Sequence, residues 1–174
     1  MLQFFKIMDR LWQSSGNDLR MFCYEVMETG NKMGFIEFVD DAETITAMHA
    51  QYNCLRGPLQ KKGIMDYFLR EVGNKMEKYP QFSKAKDELA ITQKLTEYNE
   101  TYLHSLAGQC VATYVLGIRD RHTGNYMLHK PTGTFFHIDF GHFLDHSKFK
   151  CGLKRDREPF IMSKEMQFFL RHIC

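Results

Sequence analysis

Two polar clusters interrupt the most core-like region of the chain, "VLGIRDRHTGNYMLHKPTGTFFHIDFGHFLDH". The first is Asp120-Arg121-His122 with Asn125; the second is Asp139-Phe140-Gly141-His142. Polar groups among apolar neighbours cost stability unless they are paired, hydrated or bound to something. Asn125 and Asp139 are hard oxygen donors. An amide oxygen and a carboxylate, with phosphate oxygens and waters completing six positions, suit Mg²⁺ better than a softer metal. His122 and His142 flank the same stretch, and an imidazole there can stabilise a transferring phosphoryl group or take a hydroxyl proton. This is the chemistry of a phosphotransferase, in which the protein mainly positions a metal-bound nucleotide. Each residue alone has a plainer reading, as a core histidine, a structural ion pair or a strand-end Asp-Gly. The conjunction D-R-H-x-x-N, strand, turn, strand, D-F-G-H does not.

The elements that must hold these residues follow from local pattern. Tyr126–His129 and Phe135–Ile138 read as short strands around Pro131-Thr132-Gly133, and their pairing as a hairpin brings Asn125 and Asp139 together. Upstream, the segment from Lys84 to Leu116 carries the strongest helical signal. Its apolar face is expected to hold Leu103, Leu106, Ala107, Cys110, Val111, Tyr114 and Val115, with Gly117 as its stop. Leu2 to Trp12 also predicts a helix, with Phe4, Phe5, Met8 and Trp12 on one face. Leu19–Met27 and Met33–Val39 are β-prone runs around the turn Thr29-Gly30-Asn31-Lys32. "DDAETITAMHAQY" reads as a short helix with acidic residues in its first turn. A further helix is expected within "GPLQKKGIMDYFLREVG", with Pro58 near its start and Gly73 past its end, then a surface loop over Asn74–Ser83, and a last helix capped by Ser163.

Composition narrows the class. The 174 residues suffice for one domain with a real core, and 44% are hydrophobic against 25% charged. A net charge of +2 gives no global preference for nucleic acid, so any basic attraction is local. The five cysteines are scattered, without a CxxC pair or a signal peptide, which predicts reduced thiols and an intracellular protein. No apolar run approaches the roughly 20 residues of a membrane span.

Protein kinases carry H-R-D, a later Asn and D-F-G. Here the first triplet is reversed, and that order resembles the phosphoinositide 3-kinase and 4-kinase superfamily. "AGQCVATYVLGIRDRHTGNYML" and "FFHIDFGHFLDHSKFKCGLKRDREPF" resemble the catalytic and activation loops of class I phosphoinositide 3-kinase catalytic subunits. "DLRMFCYEVMETGNKMGFIEFV" resembles their strand pair leading to the ATP hinge. The resemblance implies an α+β, protein-kinase-like lipid kinase fold. Residues 1–39 would be the last helix and strand pair of an N-lobe, up to the hinge. Residues 40–174 would be a mostly helical C-lobe, cut short at its end. It implies metal binding by Asn125 and Asp139, with catalytic roles for Asp120, His122 near the γ-phosphate, and His142 as base for the inositol hydroxyl. Arg121 would hold the loop through ion pairs. Glu37 and Val39 would present backbone groups to adenine, and Tyr24, Ile36, Phe38, Met127 and Ile138 would line its pocket. Without the resemblance, those five read as ordinary core.

Between Asp145 and Arg157, the basic residues Lys148, Lys150, Lys154, Arg155 and Arg157 resemble the two clusters with which class I enzymes read phosphatidylinositol 4,5-bisphosphate. Ser147 and Phe149 thin the first cluster. Two departures stand out. The family's phosphate loop and strand lysine precede the position of Leu2 and are not in this sequence, which predicts a fragment inactive by itself. Arg119 stands before D-R-H where the family has a small residue, and is expected to crowd the loop or contact a phosphate. The expected activity is ATP- and Mg²⁺-dependent phosphorylation of the inositol 3-hydroxyl. The expected partners are a phosphoinositide at a membrane surface and a regulatory subunit of the parent protein, with no nucleic acid. The expected location is cytoplasmic, with recruitment to the plasma membrane. The rival is a non-catalytic, pseudokinase-like binding module; a protein kinase is disfavoured by the missing H-R-D.

Overall fold

The structure is a computed structural model that describes residues 1–52, 88–144, 149–150, 153–154, 161–163, 166–167 and 170. The helix expected within residues 57–73 and the loop over Asn74–Ser83 lie outside the described residues, as do Cys54, Cys151 and Cys174. In chain order the elements are α1 (Leu2–Ser14), β1 (Val26–Gly30), β2 (Met33–Ile36), β3 (Ala42–Thr44), α2 (Ile45–Tyr52), α3 (Glu88–Val115), β4 (Tyr126–His129) and β5 (Thr134–His137). The short pair β6 (Phe149–Lys150) and β7 (Leu153–Lys154) follows.

The centre of the fold is the antiparallel sheet β3-β4-β5, with α3 packed along β5. The expected hairpin forms, with Tyr126 opposite His137 and His129 opposite Thr134. Gly133 closes its turn at φ +77°, a conformation that favours glycine. Strand alternation sends Tyr126 and Leu128 into the main core with Phe135, Tyr102, Leu106 and Cys110. Met127 and its partner Phe136 face the other way, where Phe136 meets Phe22 and Tyr24.

Helix α3 ends as its sequence predicts. Gly117, at φ +56°, donates to the Tyr114 carbonyl and Ile118 donates to that of Thr113, the paired bonds of a Schellman stop. Its buried face differs from expectation. Ala107, Val111, Tyr114 and Val115 are exposed, while Ser105, Gln109 and Thr113 are buried. For Ser105 and Gln109 the reason is β5, while the Thr113 hydroxyl bonds the Gln109 and Cys110 carbonyls of its own helix. The Phe135 N–H donates to Ser105 Oγ at 2.9 Å, and Gln109 Oε1 accepts from His137 Nδ1 at 3.0 Å. A helix covering a strand edge must bring polar groups to it, because an unmet buried N–H costs more than a lost apolar contact returns.

Helix α1 lays Phe5, Met8 and Trp12 over the end of α3, meeting Ala112, Ile118 and Phe140. Phe4 is exposed, outside the face assigned to it. Only Val26–Gly30 and Met33–Ile36 of the two β-prone runs pair as strands. Residues 19–25 instead cross α3. Arg20 donates to Thr101 Oγ1 and the Glu97 carbonyl, and Met21 packs so closely that a side chain at Gly108 would meet its sulfur at 2.6 Å. The stretch 40–52 is a strand followed by a helix, since Ala42–Thr44 pairs with β4 before α2 begins. Ser163 does offer its hydroxyl to the Met166 N–H, at 3.3 Å.

Candidate active site

Both polar clusters lie at the mouth of the β4–β5 hairpin. The first follows the Schellman stop of α3, and the second follows β5. They are laced together through the backbone: Arg119 N–H donates to the His142 carbonyl at 2.8 Å, Leu144 N–H to Leu116 at 3.1 Å, and Ile138 N–H to Asn125 at 3.0 Å. Asp120 and Asp139 both adopt left-handed backbone, at φ +59° and +57°. That conformation disfavours a side chain, though Asp tolerates it better than most, and it persists where surrounding bonds enforce it.

Asn125 is buried, and its Nδ2 donates to the Asp120 carbonyl at 2.7 Å. The amide nitrogen is thus committed, leaving Oδ1 as the atom to meet a cation. Asp139 is exposed, and its Oδ1 accepts from the Gly141 N–H at 3.4 Å. Among the described residues no three His, Cys, Asp or Glu side chains are grouped to hold a metal unaided. An amide oxygen and a carboxylate on neighbouring backbone fit a hard divalent ion that takes its remaining ligands from a nucleotide and water.

His122 is exposed, and its Nδ1 accepts from the Gly124 N–H at 3.1 Å. That bond assigns the neutral ring's proton to Nε2, so the imidazole presents a donor outward. Asp120 is buried and its carbonyl organises the loop, receiving the Asn125 amide and the His122 N–H. His142 is half-buried beside Arg119, and Arg119 itself is buried, its Nε shielded from solvent. Arg121 holds the loop, as expected of it, and does so in part through backbone carbonyls.

The residues expected to take a nucleotide do meet. A cavity of about 500 Å³ is lined by Tyr24, Met127, Ile138 and the run Ile36, Glu37, Phe38, Val39, and it reaches Asp139. Ala42 and Phe136 line it too, and sequence reasoning missed both. Phe136 was findable, since it stands opposite Met127 on the same strand face. Ile36 and Phe38 are highly exposed, so they are cavity wall and not the core residues that spacing alone suggests. The Glu37 N–H donates to the Glu25 carbonyl, continuing the β1–β2 ladder one step. Burial pushes the Tyr24 phenol up to about 12, so it stays protonated. A neighbouring cavity of about 630 Å³ shares Tyr24, Ile36 and Asp139, and contains Lys6, whose ammonium is bonded to Glu25.

Beneath the site, His137 is fully buried, and burial, with the Arg121 charge, holds its pKa well below the ordinary 6.5. Gln109 and His137 carried no signal as site residues in the sequence. Of the basic cluster, Lys148, Arg155 and Arg157 lie outside the described residues. Lys150 and Lys154 belong to the β6–β7 pair, where Lys150 stands opposite Leu153.

Residues 1–173 match the model of the family described as phosphatidylinositol 3- and 4-kinase. Among curated proteins, the chain is 37% identical over 169 residues to the human phosphatidylinositol 3-kinase C2 domain-containing subunit gamma, a match covering 97% of this chain and 10% of that protein. It is 40% identical over 167 residues to phosphatidylinositol 3-kinase 2 of Dictyostelium discoideum, covering 94% of this chain and 8% of that one. It is 37% identical over 169 residues to the Pongo abelii phosphatidylinositol 4-phosphate 3-kinase C2 domain-containing subunit alpha, covering 97% and 9%. The chain therefore spans about a tenth of the length of these relatives.

Proposed function

The chain belongs to the phosphatidylinositol 3- and 4-kinase family, and on that premise we propose that it carries the catalytic and activation loops of an ATP-dependent kinase for the inositol 3-hydroxyl. The observation that carries the reading is the single cavity whose wall is the run Ile36–Val39 and whose end is Asp139. A nucleotide bonded to the backbone at Glu37 and Val39 would have its phosphates at the two polar clusters. Asn125 and Asp139 would hold Mg²⁺, which when bound neutralises phosphate charge. His122 donates its Nε2–H to the oxygens of the phosphoryl group in flight. His142 takes the proton of the attacking hydroxyl, and Asp120 keeps the loop in register. Catalysis is then positioning plus electrostatics, as in other phosphoryl transfers.

In this reading residues 1–39 belong to the lobe above the nucleotide and 40–174 to the lobe below. Lys6, at the wall of the neighbouring cavity, is engaged by Glu25, which competes with a phosphate for it. The 174-residue chain expressed alone should therefore show no appreciable turnover; robust radiolabel transfer from it, abolished by Asp139→Ala, would overturn that point. The basic residues 148–157 would meet the anionic headgroup, bringing a cytoplasmic protein to the plasma membrane, with a regulatory subunit as its partner. The thinned first cluster, and the 4-phosphate in the name of the Pongo abelii relative, favour a second acceptor beside the 4,5-bisphosphate: the 4-monophosphate. Removing the charges at Lys148 and Lys150, or at Lys154 and Arg155, in the natural protein that carries these residues tests the assignment. Activity should fall far more on phosphorylated lipids than on phosphatidylinositol itself. Equal losses on all lipids would reduce the segment to a general membrane attractor.

A further inference from the structure

Arg121 is the most heavily bonded side chain at the mouth of the hairpin, and its bonds have a pattern. Nε donates to the Arg119 carbonyl at 2.9 Å, and Nη1 to the carbonyls of Asn125 at 3.3 Å and Ile138 at 2.8 Å. Nη2 donates to the carbonyl of Asp139. Four of the five guanidinium N–H groups are thus spent on backbone oxygens, two from each loop. Two of the four acceptors belong to the residues assigned here as metal ligands, Asn125 and Asp139. The guanidinium is buried and lies 5.7 Å from the centre of the Phe140 ring.

We infer that Arg121 is a positioning residue that sets the spacing of the two metal donors. The inference rests on the metal assignment made above and deepens it. Of the backbone rungs between the two loops, the one from the Ile138 N–H to the Asn125 carbonyl lies next to both donors. That rung fixes the strands but not the rotation of the Asp139 peptide, which sits in left-handed backbone at φ +57°. The Nη2 bond to the Asp139 carbonyl holds that peptide plane, and with it the direction in which the carboxylate leaves the chain. The bonds from Nη1 tie the same rigid plane to the Asn125 peptide. Lysine cannot substitute: its three donors radiate from one atom on a flexible stem, while four carbonyls spread over two loops need a planar fork.

The test uses the natural protein that carries these residues, with Mn²⁺ as the probe. Binding of Mn²⁺ in the presence of a non-hydrolysable ATP analogue is read by electron paramagnetic resonance in wild type, Arg121→Lys, Arg121→Met and Asp139→Asn. Loss of an outer partner of a metal ligand usually costs about 10–100-fold in metal affinity. The Lys variant should weaken Mn²⁺ binding by about tenfold and raise the Mg²⁺ needed for half-maximal turnover in parallel, with the KM for ATP at saturating metal unchanged. Arg121→Lys is the decisive variant, because it keeps the charge if Arg121→Met does not fold. A Lys variant with a lower melting temperature and wild-type Mn²⁺ affinity would make Arg121 merely structural and overturn the inference. Undiminished Mn²⁺ binding in Asp139→Asn would instead overturn the metal assignment itself, and the two failures cannot be confused.

Discussion

The floor and the roof of the central cavity are built to different standards. In the floor, every residue of β5 is buried, its Phe135 N–H bonded to Ser105 and its His137 ring to Gln109 of α3. In the roof, every residue of β1 and β2 is exposed, Met27, Phe35 and Ile36 among them. Both offer apolar side chains to the same space. The difference teaches where precision resides. Asn125, Asp139 and His122 hang from the floor, whose backbone is over-determined. The run Ile36–Val39, proposed above to take a planar ring, extends from the roof. Phosphoryl transfer demands placement of charge within a fraction of an ångström, while adenine recognition tolerates more.

Substitutions at the floor's polar ends should separate chemistry from folding most sharply. In the natural protein that carries these residues, Asn125→Ala should remove turnover by roughly 1,000-fold or more, and His122→Ala by about 100-fold. Folding, followed by melting temperature, should be retained in both. Near-normal turnover of Asn125→Ala at saturating Mg²⁺ would break the assignment of the floor as the seat of the metal.

Two phenylalanines of similar sequence setting sharpen the contrast in packing. Phe135 is 0% exposed and Phe35 is 66% exposed. Denaturant unfolding of the 174-residue chain should register a loss of about 3–5 kcal/mol for Phe135→Ala. Phe35→Ala should stay within about 0.5 kcal/mol of wild type. Similar losses at both would mean that the hairpin contributes as much as the core.

The floor should also be the acid-sensitive half. His137 is buried with its pKa well below 6.5, so at mildly acid pH the unfolded chain binds a proton that the native state refuses. Stability is then intact above the ordinary value and falls as pH drops below it toward the folded pKa. Melting temperatures measured between pH 7.5 and 5 should show this decline in the wild type. The decline should flatten in His137→Gln, and an unchanged slope would mean that another group dominates.

Much of the floor was legible in the sequence. The hairpin, the Gly117 stop and the polar clusters are local signals, readable from alternation, a glycine and side chains that are rare in cores. What escaped was non-local. Ala42–Thr44 has no strand signature of its own and becomes β3 by pairing with residues 127–129, more than 80 positions away. Residues 19–24 are β-prone yet join no sheet, because Arg20 and Met21 are held on α3. The buried pair Ser105 and Gln109 was invisible to a search for apolar periodicity, since each is bonded to β5, at the Phe135 N–H and the His137 ring. Spacing alone would have put Phe38 in the core, and only the family resemblance pointed to the cavity wall, where it is 85% exposed.

The most direct test of the account is the identity of the product. The natural protein that carries these residues, given radiolabelled ATP, Mg²⁺ and phosphoinositide vesicles, should place the label on the inositol 3-position, and Asp139→Asn should place none. Label at another ring position, no lipid labelling at all, or undiminished labelling by Asp139→Asn would contradict it.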